Sequence, residues 1–236
     1  MLNMTIQAVL FDLDNTLTHR DESVRRYCER LIQHYAKQLN EHDLAKIKQI
    51  VNRIDCGGYP KKEFLTHPSI GESVAFALLR EIAWNNPPSL EELTAFWFEK
   101  FGECAIAMPY AQQILEKLTA ENIRIGLISN GGDVTRRNII HGLGFEKYFE
   151  VIMSSERAGV SKPKTEIFHL TCQELGVDPK HSFYVGDHPV NDVLGAKQAG
   201  LTAVWFEGFH ELEENFDLKA DYQIRSLAQL EKIIFN

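Results

Sequence analysis

The sequence lacks the features that would indicate a membrane protein, a disulfide-stabilised fold or a nucleic-acid surface. The apolar run near its N-terminus, Ala8 to Leu13, is far shorter than the roughly 20 residues of a membrane span and has no basic flank. The four cysteines lie far apart and form no Cys-x-x-Cys pair, and the net charge of -8 leaves no excess of cations for nucleic acid. We therefore expect a cytoplasmic protein with reduced thiols and no membrane or nucleic-acid partner.

What the sequence does contain is an apolar run that stops at two carboxylates, Asp12 and Asp14. The run Ala8-Val9-Leu10-Phe11 is β-branched and aromatic, which predicts a buried strand. In an open α/β sheet, ligands bind in the crevice outside the carboxyl ends of the strands. Side chains two apart on a strand point the same way, so Asp12 and Asp14 are predicted to converge. Such a pair needs a cation or a shared proton.

The second half of the chain alternates between strand and helix patterns. We predict strands at 123–128, 149–153, 182–185, 201–206 and 222–224, with amphipathic helices between most of them. Strands joined by helices of this size are typical of parallel βαβ crossovers. The sequence therefore predicts an α/β fold with a parallel sheet.

A block of four helical patterns interrupts this alternation between the first and second strands. One of the four begins with a capping box, Ser89-x-x-Glu92. We predict an inserted all-helical domain at residues 18–107, and an α/β core formed by residues 1–17 and 108–236. The alternative interpretation is that the four helices pack on the sheet as a structural layer.

Four stretches together resemble the motifs of the haloacid dehalogenase-like superfamily of hydrolases, most of which are phosphatases. Asp-x-Asp-x-Thr beginning at Asp12 resembles motif I, Ser129 closes a strand as in motif II, and Lys162 before a proline resembles motif III. Gly186-Asp187 followed by Asp192 resembles motif IV. The resemblance implies a Rossmann-like three-layer core, and an insertion after motif I that forms a helical cap over the site.

The chemistry of phosphoryl transfer suggests a role for each motif residue. Asp12 suits a nucleophile that forms an aspartyl-phosphate, and Asp14 suits a general acid and base for the leaving oxygen and the attacking water. The resemblance implies the same two roles. Lys162 and the Ser129 hydroxyl are predicted to hold the phosphate, with backbone N–H groups near Asn130 and Gly131 completing the anion pocket.

Counting charge predicts a metal ion. The carboxylates of Asp12, Asp14, Asp187 and Asp192 would repel a phosphate dianion, and Lys162 offsets only one charge. Mg²⁺ with oxygen ligands solves this, held by the side chains of Asp12 and Asp187 and the carbonyl of Asp14.

Further residues lie close to these metal ligands in the sequence. Asp192 is predicted to support the metal as an outer ligand, with Asn191 as a competitor for that place. His188 is interpreted as a loop residue, because Mg²⁺ rarely takes imidazole.

The predicted activity is that of a Mg²⁺-dependent phosphatase acting on a small phosphorylated metabolite, as a monomer or homodimer. Alternatives are a phosphosugar mutase, a 2-haloacid dehalogenase and a catalytically silent phosphate-binding module. A dehalogenase has no leaving oxygen for Asp14 to protonate, and a silent module is expected to lack a catalytic residue. The motifs do not specify the substrate. Four residues of the insertion could contact it: Arg20, Lys61, Lys62 and His67.

Overall fold

The structure is a computed structural model of the chain, and it describes residues 6–40, 43–210 and 220–235. The chain separates into two compact units. The core unit contains the described residues up to Thr18, residues 107–140 and the described residues from Gly144 onward. The helical unit contains the described residues between His19 and Ile106, together with His141–Leu143.

A six-stranded parallel sheet forms the centre of the core unit. Its strands are β1 (Ala8–Phe11), β2 (Arg124–Ser129), β3 (Val151–Ser154), β4 (Ser182–Gly186), β5 (Thr202–Phe206) and β6 (Tyr222–Ile224). Their order across the sheet is β3-β2-β1-β4-β5-β6. Strands β2 and β3 therefore lie on one side of β1, and strands β4, β5 and β6 lie on the other side. This reversal creates a crevice at the carboxyl ends of β1 and β4, the usual ligand position in such sheets.

The two faces of the sheet are both covered. All four residues of β1 are fully buried, although successive side chains of a strand point to opposite faces. On one face Leu10 and Tyr184 belong to a cluster with Phe168, whose ring meets that of Tyr184 at 5.0 Å. The core unit is therefore a Rossmann-like α/β fold with continuous burial around its central strands.

The α-helices of the core unit lie between consecutive strands from β1 to β5, and α10 follows β6. They are α5 (Ala111–Ala120), α6 (Asp133–Leu143, whose last three residues group with the helical unit), α7 (Ser155–Ala158), α8 (Thr165–Leu175), α9 (Gly195–Gln198) and α10 (Leu230–Ile234). A π-helical segment, Pro189–Leu194, leads directly into α9. Gly176 ends α8 in the left-handed conformation, with φ of 66°, as the sequence predicts for a glycine stop.

The helical unit consists of four main helices: α1 (Arg20–His34), α2 (Leu44–Asp55), α3 (Ile70–Glu81) and α4 (Leu90–Lys100). The predicted capping box is present, because Ser89 and Glu92 each accept from the other's backbone N–H. Aromatic rings fill the interior, where Tyr27 meets Trp97 edge-on at 4.8 Å. Gly71 makes room for this packing, since a Cβ there would lie 2.4 Å from the Trp97 ring.

A buried ion pair also stabilises the helical unit. Arg20, at the start of α1, donates two hydrogen bonds to Asp55 at 2.6 and 3.1 Å. Asp55 also accepts from the N–H of Gly58, and the Arg20 guanidinium lies 4.3 Å from the centre of the Phe101 ring. The Arg20 guanidinium therefore packs in the interior of this unit, and its contact with a substrate stays a prediction.

Three of the cysteines, Cys28, Cys104 and Cys172, are buried, and Cys56 is half-buried. All four are free. Burial raises the pKa of Cys28 and that of Cys172 to about 12, so both stay protonated at neutral pH. Among the described residues, no helix combines the length and the apolarity needed to cross a membrane.

Candidate active site

Three buried carboxylates meet at the carboxyl ends of β1 and β4. Asp12 follows β1 directly, and its N–H donates to the carbonyl of Val185 in β4 at 2.9 Å. Asp187 follows β4, and Asp192 lies in the π-helical segment that comes next. Ligand oxygens of the three residues lie within 4.8 Å of one another, and each residue is 2% exposed or less. This carboxylate cluster (Asp12, Asp187 and Asp192) could hold a metal ion.

The donor set of the carboxylate cluster fits a hard divalent cation. All three residues offer oxygen, which Mg²⁺ prefers over nitrogen or sulfur. The Asp12 Oδ2 atom is buried and has no hydrogen-bond partner among the described residues. A buried carboxylate oxygen without a donor is costly unless a cation approaches it.

Lys162 is buried against the same cluster. Its Nζ donates to Asp12 Oδ1 at 2.5 Å, to Asp192 Oδ1 at 2.7 Å and to the Tyr184 hydroxyl at 2.9 Å. These contacts use the three donors of an ammonium group. Lys162 therefore links Asp12, which follows β1, to Asp192, which lies in the segment after β4.

The electrostatics of this network are strongly perturbed. Burial raises the pKa of Asp12 well above its usual range; Lys162 opposes this shift, and Asp192 and Asp187 add to it. Burial also raises the pKa of Asp187. For Lys162 burial opposes the charge, but Asp12 and Asp192 outweigh burial and raise its pKa. A cation within the cluster would favour the carboxylate forms again.

Asp192 is held by contacts on both of its oxygens. Oδ1 accepts from Lys162 and lies 3.1 Å from the Tyr184 hydroxyl, while Oδ2 accepts from the His188 N–H at 2.9 Å. Gly186 is required for this arrangement, because a Cβ there would lie 2.4 Å from the Asp192 carboxyl carbon. Asn191, the competitor, is half-buried, and its N–H donates to the ring of His188.

Two histidines lie beside the cluster. His188 Nδ1 accepts from the N–H groups of Val190 and Asn191 at 3.1 Å each, so it caps the π-helical segment. Burial, with His210 nearby, lowers the pKa of His188 to about 4, so its ring is neutral at physiological pH. His210 Nε2 lies 3.1 Å from Asp187 Oδ2, and its ring meets that of His188 at 4.5 Å. His188 therefore acts as a loop-stabilising residue.

The end of β2 contributes residues that fix the lysine loop. Asn130 binds the main chain of Lys162 twice: its Oδ1 accepts from the Lys162 N–H at 2.9 Å, and its Nδ2 donates to the Lys162 carbonyl at 3.1 Å. The N–H of Gly131 donates to the Ser155 hydroxyl at 2.9 Å. Ser129 is buried at the last position of β2. The Asn130 side chain thus positions Lys162, a role that the sequence did not suggest.

Asp14 has a separate partner. The turn after Asp12 closes on the carbonyl of Leu13, which accepts from the N–H and the hydroxyl of Thr18 at 2.9 and 3.0 Å. The Asp14 carboxylate is not one of the three in the cluster. Its Oδ2 accepts from Nη1 of Arg136 in α6 at 2.6 Å, and both side chains are 7% exposed.

Sequence reasoning missed Tyr184 and Arg136, although each left a signal. Tyr184 is a polar residue within the apolar run of β4, where a hydroxyl needs a partner. Arg136 precedes Ile139 and Ile140 by three and four residues, so it lies on the buried face of α6. A cation at an apolar position of a helix predicts a buried anion nearby.

Comparison with known proteins identifies the family. Residues 6–200 match the model of the haloacid dehalogenase-like hydrolases. The chain is 30% identical to a glyceraldehyde 3-phosphate phosphatase from Methanopyrus kandleri over 84% of its own length and 83% of that protein. It is 25% identical to the enzyme of the same name from Methanocaldococcus jannaschii over 98% of both chains.

A solved structure shares the fold. The HAD-hydrolase YfnB from Bacillus subtilis, in a form bound to magnesium, aligns with a TM-score of 0.74 and 21% identity, over 98% of this chain and 99% of that one. The chain belongs to the haloacid dehalogenase-like hydrolases. It is a phosphoric monoester hydrolase of this family, which confirms the predicted family, fold class and type of activity.

Proposed function

We propose that this phosphatase hydrolyses a small phosphorylated metabolite with Mg²⁺ as its cofactor, through an aspartyl-phosphate on Asp12. The observation that carries the proposal is the charge imbalance around Asp12. Among the described residues, the core unit buries four carboxylates, those of Asp12, Asp14, Asp187 and Asp192, against the two cations Lys162 and Arg136. With all six groups ionised, the difference is two negative charges, which equals the charge of one divalent cation.

Asp12 is the proposed nucleophile because its carboxylate lies in the crevice and is held at one oxygen only. Lys162 fixes Oδ1, while Oδ2 has no hydrogen-bond partner among the described residues. Attack by a carboxylate oxygen on phosphorus forms an acyl phosphate and expels the alkoxide of the substrate. Water then attacks the acyl phosphate, releasing phosphate and restoring Asp12.

Asp14 is the proposed general acid and base. It lies two residues beyond Asp12, in the turn closed by Thr18. As an acid it gives a proton to the leaving oxygen, and as a base it takes a proton from the attacking water. Lys162 and Ser129 are proposed to hold the phosphoryl oxygens, with N–H groups near Asn130 and Gly131. In this proposal Lys162 and the Gly131 N–H exchange one of their present acceptors for a phosphoryl oxygen when substrate binds.

The metal is proposed to bind the side chains of Asp12 and Asp187 and the carbonyl of Asp14, with Asp192 in support. When bound, Mg²⁺ supplies charge stabilisation to the phosphoryl oxygens and makes approach of a phosphate dianion to the cluster favourable. Asp192 already uses both oxygens for Lys162, Tyr184 and His188, so its proposed part is to hold the loop rather than to donate a free oxygen.

The helical unit is proposed to be the cap that selects the substrate. Its place in the sequence supports this, because it begins directly after the turn that carries Asp14. Lys61 and Lys62 are exposed and remain candidates for substrate contact. Glyceraldehyde 3-phosphate is the first substrate to test, given the names of the archaeal relatives. A cytoplasmic location and a monomeric or homodimeric state remain predictions.

A panel of substrates tests the proposed activity. Glyceraldehyde 3-phosphate, phosphorylated sugars, phosphoserine and nucleoside monophosphates are incubated with the protein and Mg²⁺, and released phosphate is measured. We expect turnover of at least one of them. Chloride release from a 2-haloacid, conversion of a sugar phosphate into its isomer, or binding of phosphate without turnover would each favour one of the alternatives.

Thermal unfolding tests the metal site without activity. Mg²⁺ at 100 times its dissociation constant is expected to stabilise the protein by about 2.7 kcal/mol. The change Asp187→Asn removes a charge from the cluster, so the increase in Tm should largely disappear. The control is Asp43→Asn, which removes a carboxylate at the N-cap of α2, where asparagine also caps. An equal Mg²⁺ response in both variants would contradict the proposed site.

A further inference from the structure

We infer that Arg136 is a positioning residue, which holds Oδ2 of the Asp14 carboxyl group so that the proton for the leaving group is transferred from Oδ1. The inference rests on the proposed function and extends it to a residue outside the four motifs. Arg136 lies on α6, and Asp14 lies 122 residues away in the turn after β1. Both belong to the core unit.

The contact between the two side chains is short and dry. Nη1 of Arg136 donates to Asp14 Oδ2 at 2.6 Å, and each side chain is 7% exposed. Charge-assisted bonds of this length are the stronger kind, and low exposure removes competing water. The other oxygen of Asp14, Oδ1, lies 3.4 Å from the Thr18 hydroxyl, a weak contact from the same turn. Arg136 is therefore the stronger of these two restraints on the carboxylate.

The backbone makes room for the guanidinium. Gly131 has φ of +139°, a conformation that side-chain-bearing residues rarely adopt. A Cβ at Gly131 would lie 2.4 Å from Nη2, 2.6 Å from Nε and 2.9 Å from Cζ of Arg136. The loop after β2 thus leaves a space at residue 131 that the guanidinium occupies.

The contact with Asp14 does not involve every donor of the Arg136 guanidinium. Among the described residues, its buried Nε–H has no hydrogen-bond partner. Buried donors without partners are rare in folded proteins and call for a specific explanation. The neighbouring Arg137 differs on each point: its side chain is half exposed, and its Nε donates to Asp133 one turn earlier in the same helix. The two adjacent arginines therefore offer a positioning candidate and a matched control.

Dependence on the leaving group separates positioning from a general structural role. An alkoxide leaves as a strong base and needs a proton from Asp14, whereas p-nitrophenolate is a weak base and leaves without one. The ratio kcat/KM reports only the steps up to departure of the leaving group, so later hydrolysis of the aspartyl-phosphate does not affect it. Misplacing Asp14 should therefore lower kcat/KM for alkyl phosphates and spare the aryl ester.

The experiment compares Arg136→Met, Arg136→Lys and Arg137→Met on the preferred alkyl phosphate and on p-nitrophenyl phosphate. For Arg136→Met we expect kcat/KM for the alkyl phosphate to fall roughly 10²-fold, the lower end of a general acid's contribution. The aryl ester should lose no more than a few-fold, and Arg136→Lys should recover part of the loss because a cation is restored. Arg137→Met should match the wild type on both esters.

A second measurement tests whether Arg136 acts through Asp14. In the Asp14→Asn background, Arg136→Lys should cause no further loss, because the group that it positions is gone. Equal losses on both esters, or full additivity with Asp14→Asn, would overturn the inference and leave Arg136 as a structural residue. The proposed function is judged separately, by wild-type turnover and by its loss in Asp12→Asn.

Discussion

The two units of this protein bury charge in different ways, and the difference separates a reactive site from a structural one. Among the described residues, the helical unit buries one cation and one anion, Arg20 and Asp55, which bind each other at two points. The core unit buries four carboxylates against two cations. Unbalanced charge in an interior is costly, so it is retained where a ligand or reaction uses it.

The Arg20–Asp55 pair of the helical unit and the Lys162–Asp12 pair of the core unit also differ in geometry. In the helical unit both Asp55 oxygens are bonded, and its pair with Arg20 is complete without any ligand. In the core unit Lys162 bonds to one oxygen of Asp12 and leaves Oδ2 without a hydrogen-bond partner among the described residues. A complete pair can be exchanged for apolar residues, whereas an incomplete one cannot without loss of function.

The largest expected effect is that of Asp12→Asn. An amide cannot attack phosphorus, and the cluster also loses one of its charges, so turnover should fall by roughly 10⁴-fold or more. Phosphate release on the preferred substrate measures the loss, and circular dichroism checks the fold. Substantial remaining activity in a folded variant would contradict the covalent mechanism.

The next effect is that of Lys162→Met, which removes the cation between Asp12 and Asp192. We expect kcat/KM to fall by roughly 10² to 10³-fold for alkyl and aryl esters alike, because a charge contact to the phosphoryl group is lost. Steady-state kinetics on both esters measure it. Lys164→Met, an exposed lysine two residues away, is the control and should retain wild-type kinetics. A loss confined to alkyl esters would assign Lys162 to the leaving group instead.

Changes in the Arg20–Asp55 pair should act on stability. Asp55→Leu alone leaves the Arg20 charge buried without its partner and is expected to destabilise the helical unit by about 3 to 5 kcal/mol. Adding Arg20→Met should recover most of this loss, since a pair of apolar residues replaces a complete ion pair. Urea unfolding measures both variants. If the double variant is no more stable than Asp55→Leu alone, the Arg20–Asp55 pair is not exchangeable for apolar residues, and the contrast with the core unit is contradicted.

The smallest expected effect is that of Ser89→Ala at the start of α4. It removes the hydroxyl that accepts from the Glu92 N–H at 3.1 Å, and should cost about 1 kcal/mol of stability. kcat on p-nitrophenyl phosphate should be unchanged. A large kinetic effect would show that α4 contributes to more than the stability of the helical unit.

The sequence predicted the features that depend on residues close together in the chain. An apolar run that ends at Asp12 predicts a strand with a carboxylate at its carboxyl end, and β1 has that form. The glycine stop at Gly176 and the capping box at Ser89 follow from turn and helix-end chemistry within a few residues. Four short motifs, each at or after such a boundary, were enough to indicate the family and the type of activity.

The pairing of distant polar groups, whether side chain or main chain, was decided by the tertiary structure alone. Asp14 and Arg136 are 122 residues apart in the chain, Asn130 and Lys162 are 32 apart, and Arg20 and Asp55 are 35 apart. Periodicity shows which face of a helix is buried, but not which residue of another element it meets. That choice depends on the order of the strands and on the space left at Gly131 and Gly186, where a missing side chain lets a charged group approach the backbone.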